Sequence, residues 1–292
     1  MNSASEQLRR AQPLTAKAVG FIFDQGVAVW ANWDRLIVRT EQNQVLLDYE
    51  IHRYMLHSRM EFVDNRYLVV PFGTDIMVAG FKVYDFQFGQ WTLDIEFEIH
   101  NESGFCGVHP AVAVIAVEQD EKLELWDLLT AQRVSVMAIS DSANVAALGG
   151  PGDKIAIGAW ENILIIDQGR EVLSARVCMG DVTALAWSVS QTSLLLGDAG
   201  GNFMQIEAAA LQVTHSFGRV SGGIEKIRVS PDGKIAIAIG YDGQALLVAC
   251  ADGWIAQMAD VFDAAFSPDD ADFLLVAGSV GMRRLAISSL RA

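Results

Sequence analysis

Little in this sequence is suited to cross-linking, metal binding or covalent catalysis. Its 292 residues include only three cysteines, Cys106, Cys178 and Cys250, set far apart. An odd, sparse set is not a disulfide framework, and no CxxC pair is present to form a zinc knuckle. The five histidines, His52, His57, His100, His109 and His215, make no HxH or HExxH arrangement. Zinc sites need convergent ligands, so structural or exposed histidines are expected instead. No calcium loop of EF-hand spacing and no Gly-x-Ser-x-Gly nucleophile elbow occurs. The run Gly149-Gly-Pro-Gly-Asp-Lys154 has the wrong glycine spacing for a phosphate loop and reads as a tight hairpin turn. Gly197-Asp-Ala-Gly-Gly201 misses the dinucleotide-binding pattern in the same way. No cofactor, no metal and no enzymatic activity are therefore expected.

Basic residues are also scarce. Lysine and arginine number 21 against 36 acids, a formal net charge of −15. Such a surface repels nucleic acid and anionic membranes, so neither is an expected partner. A basic protein or peptide is the natural charged partner, although excess acid also serves solubility alone. No apolar stretch reaches membrane-span length without charges or turn residues, and the first ten residues lack a secretory apolar run. The expectation is a soluble, cytoplasmic protein. A bias to arginine over lysine, with abundant alanine, points weakly to a GC-rich bacterial source.

Helical periodicity is nearly missing. Only Ser3–Arg10 and Glu207–Leu211 read as a helical turn or two. What is present is short, alternating and β-branched, as in Lys234–Gly240 and Lys154–Gly158, punctuated by Gly, Asp, Asn and Pro. Without strand–helix alternation, an α/β fold is disfavoured. One series of turns falls near Asp24–Gly26, Asp64–Asn65, His109–Pro110, Pro151–Gly152, Ser190–Gln191, Asp232–Gly233 and Asp269–Asp270. A second falls at Trp33–Asp34, Thr74–Asp75, Asp120–Glu121, Trp160–Glu161, Asp198–Ala199, Tyr241–Asp242 and Val280–Gly281. Each series repeats seven times with a period of about 41 residues, which matches a four-stranded propeller blade.

The sixth unit is the clearest. It runs from Ile224 to Val248 and carries Ser230-Pro-Asp-Gly233 and Gly240-Tyr-Asp-Gly243. The seventh opens with Ala264-Ala-Phe-Ser-Pro-Asp-Asp270. Third strands end in Trp126-Asp127, Val83-Tyr84-Asp85 and Ile166-Asp167. These motifs resemble the WD40-repeat family over nearly the whole chain. The resemblance implies an all-β, seven-bladed β-propeller of four-stranded antiparallel blades. The blades fall approximately at 19–54, 55–101, 102–141, 142–179, 180–220, 221–259 and 260–292. The family's opening Gly-His pair is missing, since His57 stands without its glycine. Apolar packing between blades is therefore expected to replace the family's buried polar network.

The seventh unit supplies three strands, near Val261–Ser267, Phe273–Ala277 and Arg284–Ser288. Residues 1–18, chiefly Gln12–Ala18, are expected to complete it as an outer strand and close the ring. Resemblance to WD40 propellers implies a scaffold that docks a partner on the face of the second–third strand turns. Those turns carry Trp33, Asp34, Asp75, Asp120, Glu121, Trp160, Glu161, Asp198, Tyr241 and Asp242, opposed mainly by Arg35 and Lys122. Aromatics among acids fit a basic segment, although Asp and Gly are also ordinary turn formers. Trp126 and Trp187 are expected in the core. A long hairpin over Val70–Phe88, with Phe72, Phe81, Phe86, Phe88 and Trp91, is expected to fold on its own blade. An enzyme with a carboxylate-lined channel, or a structural subunit using that second blade, is the alternative.

Overall fold

The computed structural model describes residues 15–31, 35–50, 60–73, 78–96, 103–109, 114–119, 121–130, 132–149 and 153–291. Blade 1 comprises β1 (Thr15–Ile22), β2 (Gln25–Ala31), β3 (Arg35–Thr40) and β4 (Val45–Glu50). Blade 2 has β5 (Glu61–Val63), β6 (Tyr67–Gly73), β7 (Val78–Asp85) and β8 (Gln90–Glu96). Blade 3 has β9 (Ser103–Val108), β10 (Val114–Gln119), β11 (Lys122–Asp127) and β12 (Gln132–Ala138). Blade 4 has β13 (Val145–Ala147), β14 (Ile155–Ala159), β15 (Asn162–Asp167) and β16 (Arg170–Arg176). Blade 5 has β17 (Val182–Trp187), β18 (Ser193–Asp198), β19 (Asn202–Glu207) and β20 (Gln212–Arg219). Blade 6 has β21 (Ile224–Val229), β22 (Ile235–Gly240), β23 (Ala245–Ala249) and β24 (Ile255–Met258). Blade 7 has β25 (Asp263–Phe266), β26 (Phe273–Gly278) and β27 (Gly281–Ala286), followed by the short helix α1 (Ile287–Leu290).

Every sheet is a sequential antiparallel meander, and the seven form a seven-bladed β-propeller. Among the described residues, both turn series read from the sequence fall at or beside the gaps between the intended strands, with Gln25, Gly26, Asp198 and Gly281 at strand ends; Trp33, Asp34, Thr74, Asp75, Pro110, Asp120, Pro151 and Gly152 lie outside the described residues. Trp126-Asp127, Tyr84-Asp85 and Ile166-Asp167 each end a third strand.

Apolar burial explains the ring. The core is divided into seven clusters, one at each seam between neighbouring blades. Strand alternation sends successive side chains to opposite seams. In β22, Ile235, Ile237 and Ile239 pack toward blade 7, whereas Ala236 and Ala238 pack toward blade 5. Large residues on one face and small ones on the other let the blades taper and interdigitate. Apolar packing at these seams holds the blades together. Trp126 and Trp187 are half-buried against seams 2/3 and 4/5. The second-blade hairpin folds on its own sheet, with Phe72 and Phe81 buried.

Gly158 and Gly197 occupy equivalent positions beside a second–third strand turn. A Cβ at Gly197 would lie 2.4 Å from Ile224 Cγ2, and one at Gly158 2.5 Å from Val182 Cγ1. The inner strand of the next blade passes too close for any side chain at either position.

Three local expectations are corrected. Thr15–Ala18 do not form an outer strand of blade 7; they belong to β1 and pair with β2. The rest of the expected closing segment, residues 1–14, lies outside the described residues. A bulge at Lys17 interrupts the alternation, so Ala16, Ala18 and Val19 are all buried and the strand is hard to recognise by period. Glu207–Leu211 is no helical turn. It ends β19 and turns directly into β20. The last strand runs Gly281–Ala286 rather than Arg284–Ser288, because Asp272 captures the chain. Ile287 N donates to Asp272 O at 2.8 Å, and Ser288 Oγ donates to Asp272 Oδ2 at 2.6 Å.

Blade 7 meets blade 1 by packing of β1 on β25 and β26. The apolar cluster at this seam is small: Ala16, Val19, Ala28, Phe273, Leu275 and Ala277. Among the described residues, no helix is long and apolar enough to cross a membrane.

Candidate functional site

Meander topology assigns the turns to two faces. First–second and third–fourth turns lie at one end of each blade. The second–third turn lies at the other, beside the junction to the next blade. Backbone hydrogen bonds stitch this second face into a continuous arc. Val182 N donates to Trp160 O at 2.6 Å, Ala199 N to Asp181 O at 2.8 Å, and Val220 N to Gly201 O at 3.0 Å. The arc continues through Tyr241 N to Gly223 O at 3.1 Å and Val261 N to Gly243 O at 3.0 Å. Trp160 and Tyr241 thus stand on a rim fixed by the main chain.

Trp160 is 52 % exposed, and its φ of 48° lies in the left-handed region. A bulky side chain there is strained as well as solvent-exposed. Tyr241 is exposed on the same arc, as are Met179 and Val280. Met179 belongs to the loop 177–181 that wraps the Trp160 turn through Val177 N to Glu161 O at 3.1 Å. Sequence reasoning passed over Met179 and read Val280 only as a turn residue, because it weighed turn aromatics and acids but not exposed apolar residues.

The acids of this face behave differently from their sequence reading. Asp198 is 1 % exposed, so its role is internal. It accepts hydrogen bonds from Asn202 N at 2.9 Å and Asn202 Nδ2 at 2.8 Å, which close its own turn. Glu161 pairs with Arg176 at 2.6 Å. Asp242 accepts from the Ser221 hydroxyl and from Gln244 N, and the Ser221 bond holds its carboxyl below the usual range. Asp260 is lowered by hydrogen bonding to Ser279, with Arg283 nearby. Glu121 is exposed in a left-handed turn conformation. Trp33, Asp34, Asp75 and Asp120 lie outside the described residues. Arg35 is at the start of β3, where it forms a bidentate pair with Asp48, and Lys122 is exposed at the start of β11.

The inner strands enclose a central cavity of about 850 Å³. One ion cluster crosses it. Arg228 Nη2 of β21 lies 2.7 Å from Glu61 Oε2 of β5 and 3.2 Å from Asp263 Oδ1 of β25. Lys226 Nζ lies 3.3 Å from Asp263 Oδ2, which also receives Val19 N from β1 at 3.3 Å. Lys226 is 5 % exposed, and its ion pair lacks the alignment of a hydrogen bond. Burial opposes the Arg228 charge, but Glu61 and Asp263 overcome it and raise the guanidinium above its ordinary value. Asp263 therefore ties blades 1, 6 and 7 together, and Arg228 adds blade 2.

His109 stands at the cavity wall, where burial pushes its imidazole below the ordinary value. His215 is exposed on β20, and the other three histidines lie outside the described residues. Cys178 is a buried thiol pushed up to about 11, chiefly by desolvation, which makes it a poor nucleophile. Among the described residues, no group of three His, Cys, Asp or Glu side chains gathers closely enough to hold a metal ion. Comparison with protein-family models and with curated proteins finds no match for the chain.

Proposed function

We propose that this propeller is a noncatalytic scaffold of the WD40 kind that holds a protein or peptide partner on the arc from Trp160 to Tyr241. The observation that carries this reading is Trp160, which is both half-exposed and held at positive φ. Strain and exposure together have a cost that folding alone does not reward. Aromatics on a rigid rim bury much area at little entropy cost when a partner arrives.

Met179, at 85 % exposure, and Val280, at 76 %, extend the same apolar contact. Because Glu161 is paired and Asp242 is a turn cap, affinity on this face rests on apolar anchors. A net charge of −15 supports a basic partner through steering rather than through direct pairing. The free thiols Cys178 and Cys250 suit a reducing, cytoplasmic setting.

The competing reading is a channel enzyme. Of the charged groups at this cavity, Glu61, Lys226 and Arg228 are engaged through one cluster with Asp263, which favours the scaffold. Affinity capture from native cells tests the proposal. Wild-type protein retains a stoichiometric partner, and the Trp160→Ala, Met179→Ala, Tyr241→Ala triple variant loses it without a fall in melting temperature. Retention by the triple variant would sink the proposal.

A further inference from the structure

The opposite face, at blades 1 and 2, carries a second exposed aromatic under backbone strain. Phe23 is 53 % exposed with φ 48°, in the two-residue turn between β1 and β2. Its turn partner Asp24 has φ 64°. Asn and Asp suit such a turn, whereas phenylalanine does not. Three hydrogen bonds hold the turn to the neighbouring blade. Phe23 N donates to Asn65 O at 3.0 Å, Asp24 N to Asn65 Oδ1 at 3.2 Å, and Asn65 Nδ2 to Asp24 Oδ1 at 2.7 Å. The ring is therefore presented from a rigid base.

Charge around it is mainly negative. Asp24, Glu41 and Asp64 are all exposed. Glu41 N donates to Gly26 O at 3.1 Å, which brings this acid beside the same turn. Arg66, next to Asn65, stands near Asp64 and offsets them only in part. It makes a bidentate pair with Asp85, which is 2 % exposed, and stacks 5.1 Å from the Phe88 ring. Phe88 is itself 64 % exposed, and Asn65 and Arg66 link it to the Phe23 turn on the same face.

We propose that this Phe23–Phe88 strip is a second docking surface, and that its occupant is an extended cationic peptide segment. An arginine or lysine would lie over the Phe23 ring, where cation–π attraction and the Asp24, Glu41 and Asp64 carboxylates act together. An aliphatic neighbour in the peptide would cover Phe88. The surface is independent of the Trp160 arc, which lies on the other face.

The test is fluorescence anisotropy with a labelled peptide of alternating arginine and leucine, using the full chain. Wild-type protein binds it saturably, and added salt weakens the complex. Phe23→Asn suits the turn, so melting is unchanged or higher while binding falls about tenfold, as for loss of one hot-spot aromatic. A Glu41→Gln, Asp64→Asn double variant weakens binding and flattens its salt dependence. Trp160→Asn leaves this binding unchanged, so the two faces fail separately. The proposal is overturned by absent binding, by equal binding of a glutamate–leucine peptide, or by full binding in Phe23→Asn. Concentration-dependent dimers that Phe23→Asn abolishes would assign the strip to a second copy of the chain and overturn the peptide.

Discussion

The two faces of the ring offer the same device in different electrostatic settings. Each presents an aromatic, Trp160 or Phe23, about half exposed with φ 48°. Around Trp160 the acids are engaged: Glu161 by Arg176, Asp242 by Ser221, Asp198 by Asn202. Around Phe23, Asn65 holds Asp24, but Glu41 and Asp64 are exposed, and the nearest guanidinium is paired with Asp85. The lesson is that an acidic turn in a sequence is not a unit of surface charge. A carboxylate that caps its own turn or pairs with the next strand offers a partner little field.

The largest expected effect removes both faces together. Asp263→Asn leaves Lys226 buried without its counter-ion and loosens the thin seam between blades 7 and 1. Breaking a buried pair in this way costs about 3–5 kcal/mol, read as a fall in the urea midpoint with loss of binding on both faces. An unchanged midpoint would mean that apolar packing alone closes the ring. Next is Gly197→Ala, which drives a methyl into Ile224 at the seam under the Trp160 arc. A loss of about 1–3 kcal/mol is expected from such overpacking. The arc should suffer more than the Phe23 strip, and equal damage to both would show the faces to be one cooperative unit.

Smaller and opposite in sign is relief of turn strain. Trp160→Asn and Phe23→Asn should each raise stability by about 1 kcal/mol, since Asn tolerates the left-handed region. Thermal melting separates this gain from the binding loss. A stability loss in either variant would show that the ring packs on its own face rather than awaiting a partner.

The smallest effect is pH-dependent. The Ser221 hydroxyl holds the Asp242 carboxyl below its ordinary value, so folding favours the ionised form. That contribution is complete above the unfolded value of about 4 and disappears as pH falls through the lower folded value. Ser221→Ala should therefore cost under about 1 kcal/mol at neutral pH, given the exposed setting. The gap between variant and wild type should close in acid. A gap that persists in acid would trace to packing instead of the carboxylate. Asp232 offers an internal reference, held at about 2 chiefly by Lys234.

Much of the fold was legible because its signals are local. A strand that alternates and a turn that needs Asp, Asn or Gly are written within a few residues. Ser230-Pro-Asp-Gly233 and Trp126-Asp127 mark their turn and strand end without knowledge of any neighbour. The bulge at Lys17 defeated this reading, since an extra residue breaks the period on which it depends. Of the candidate site, Trp160 and Tyr241 were legible as turn aromatics. Met179 and Phe23 were not, because apolar residues in a β-rich chain are presumed core until a surface is drawn.

The sequence by itself determined a ring of seven units, their turns and the apolar character of their strands. These follow from backbone sterics and side-chain period, which act over a handful of residues. Only the tertiary structure decided that Ile237 faces blade 7 while Ala238 faces blade 5, or that Arg228 reaches across the cavity to Glu61. It also decided which acids are engaged and which aromatics stay in water. Those choices depend on partners that lie tens to hundreds of residues away, as Asp263 does from Val19. Burial and ion pairing depend on distance in space, and no local spacing in the chain encodes that distance.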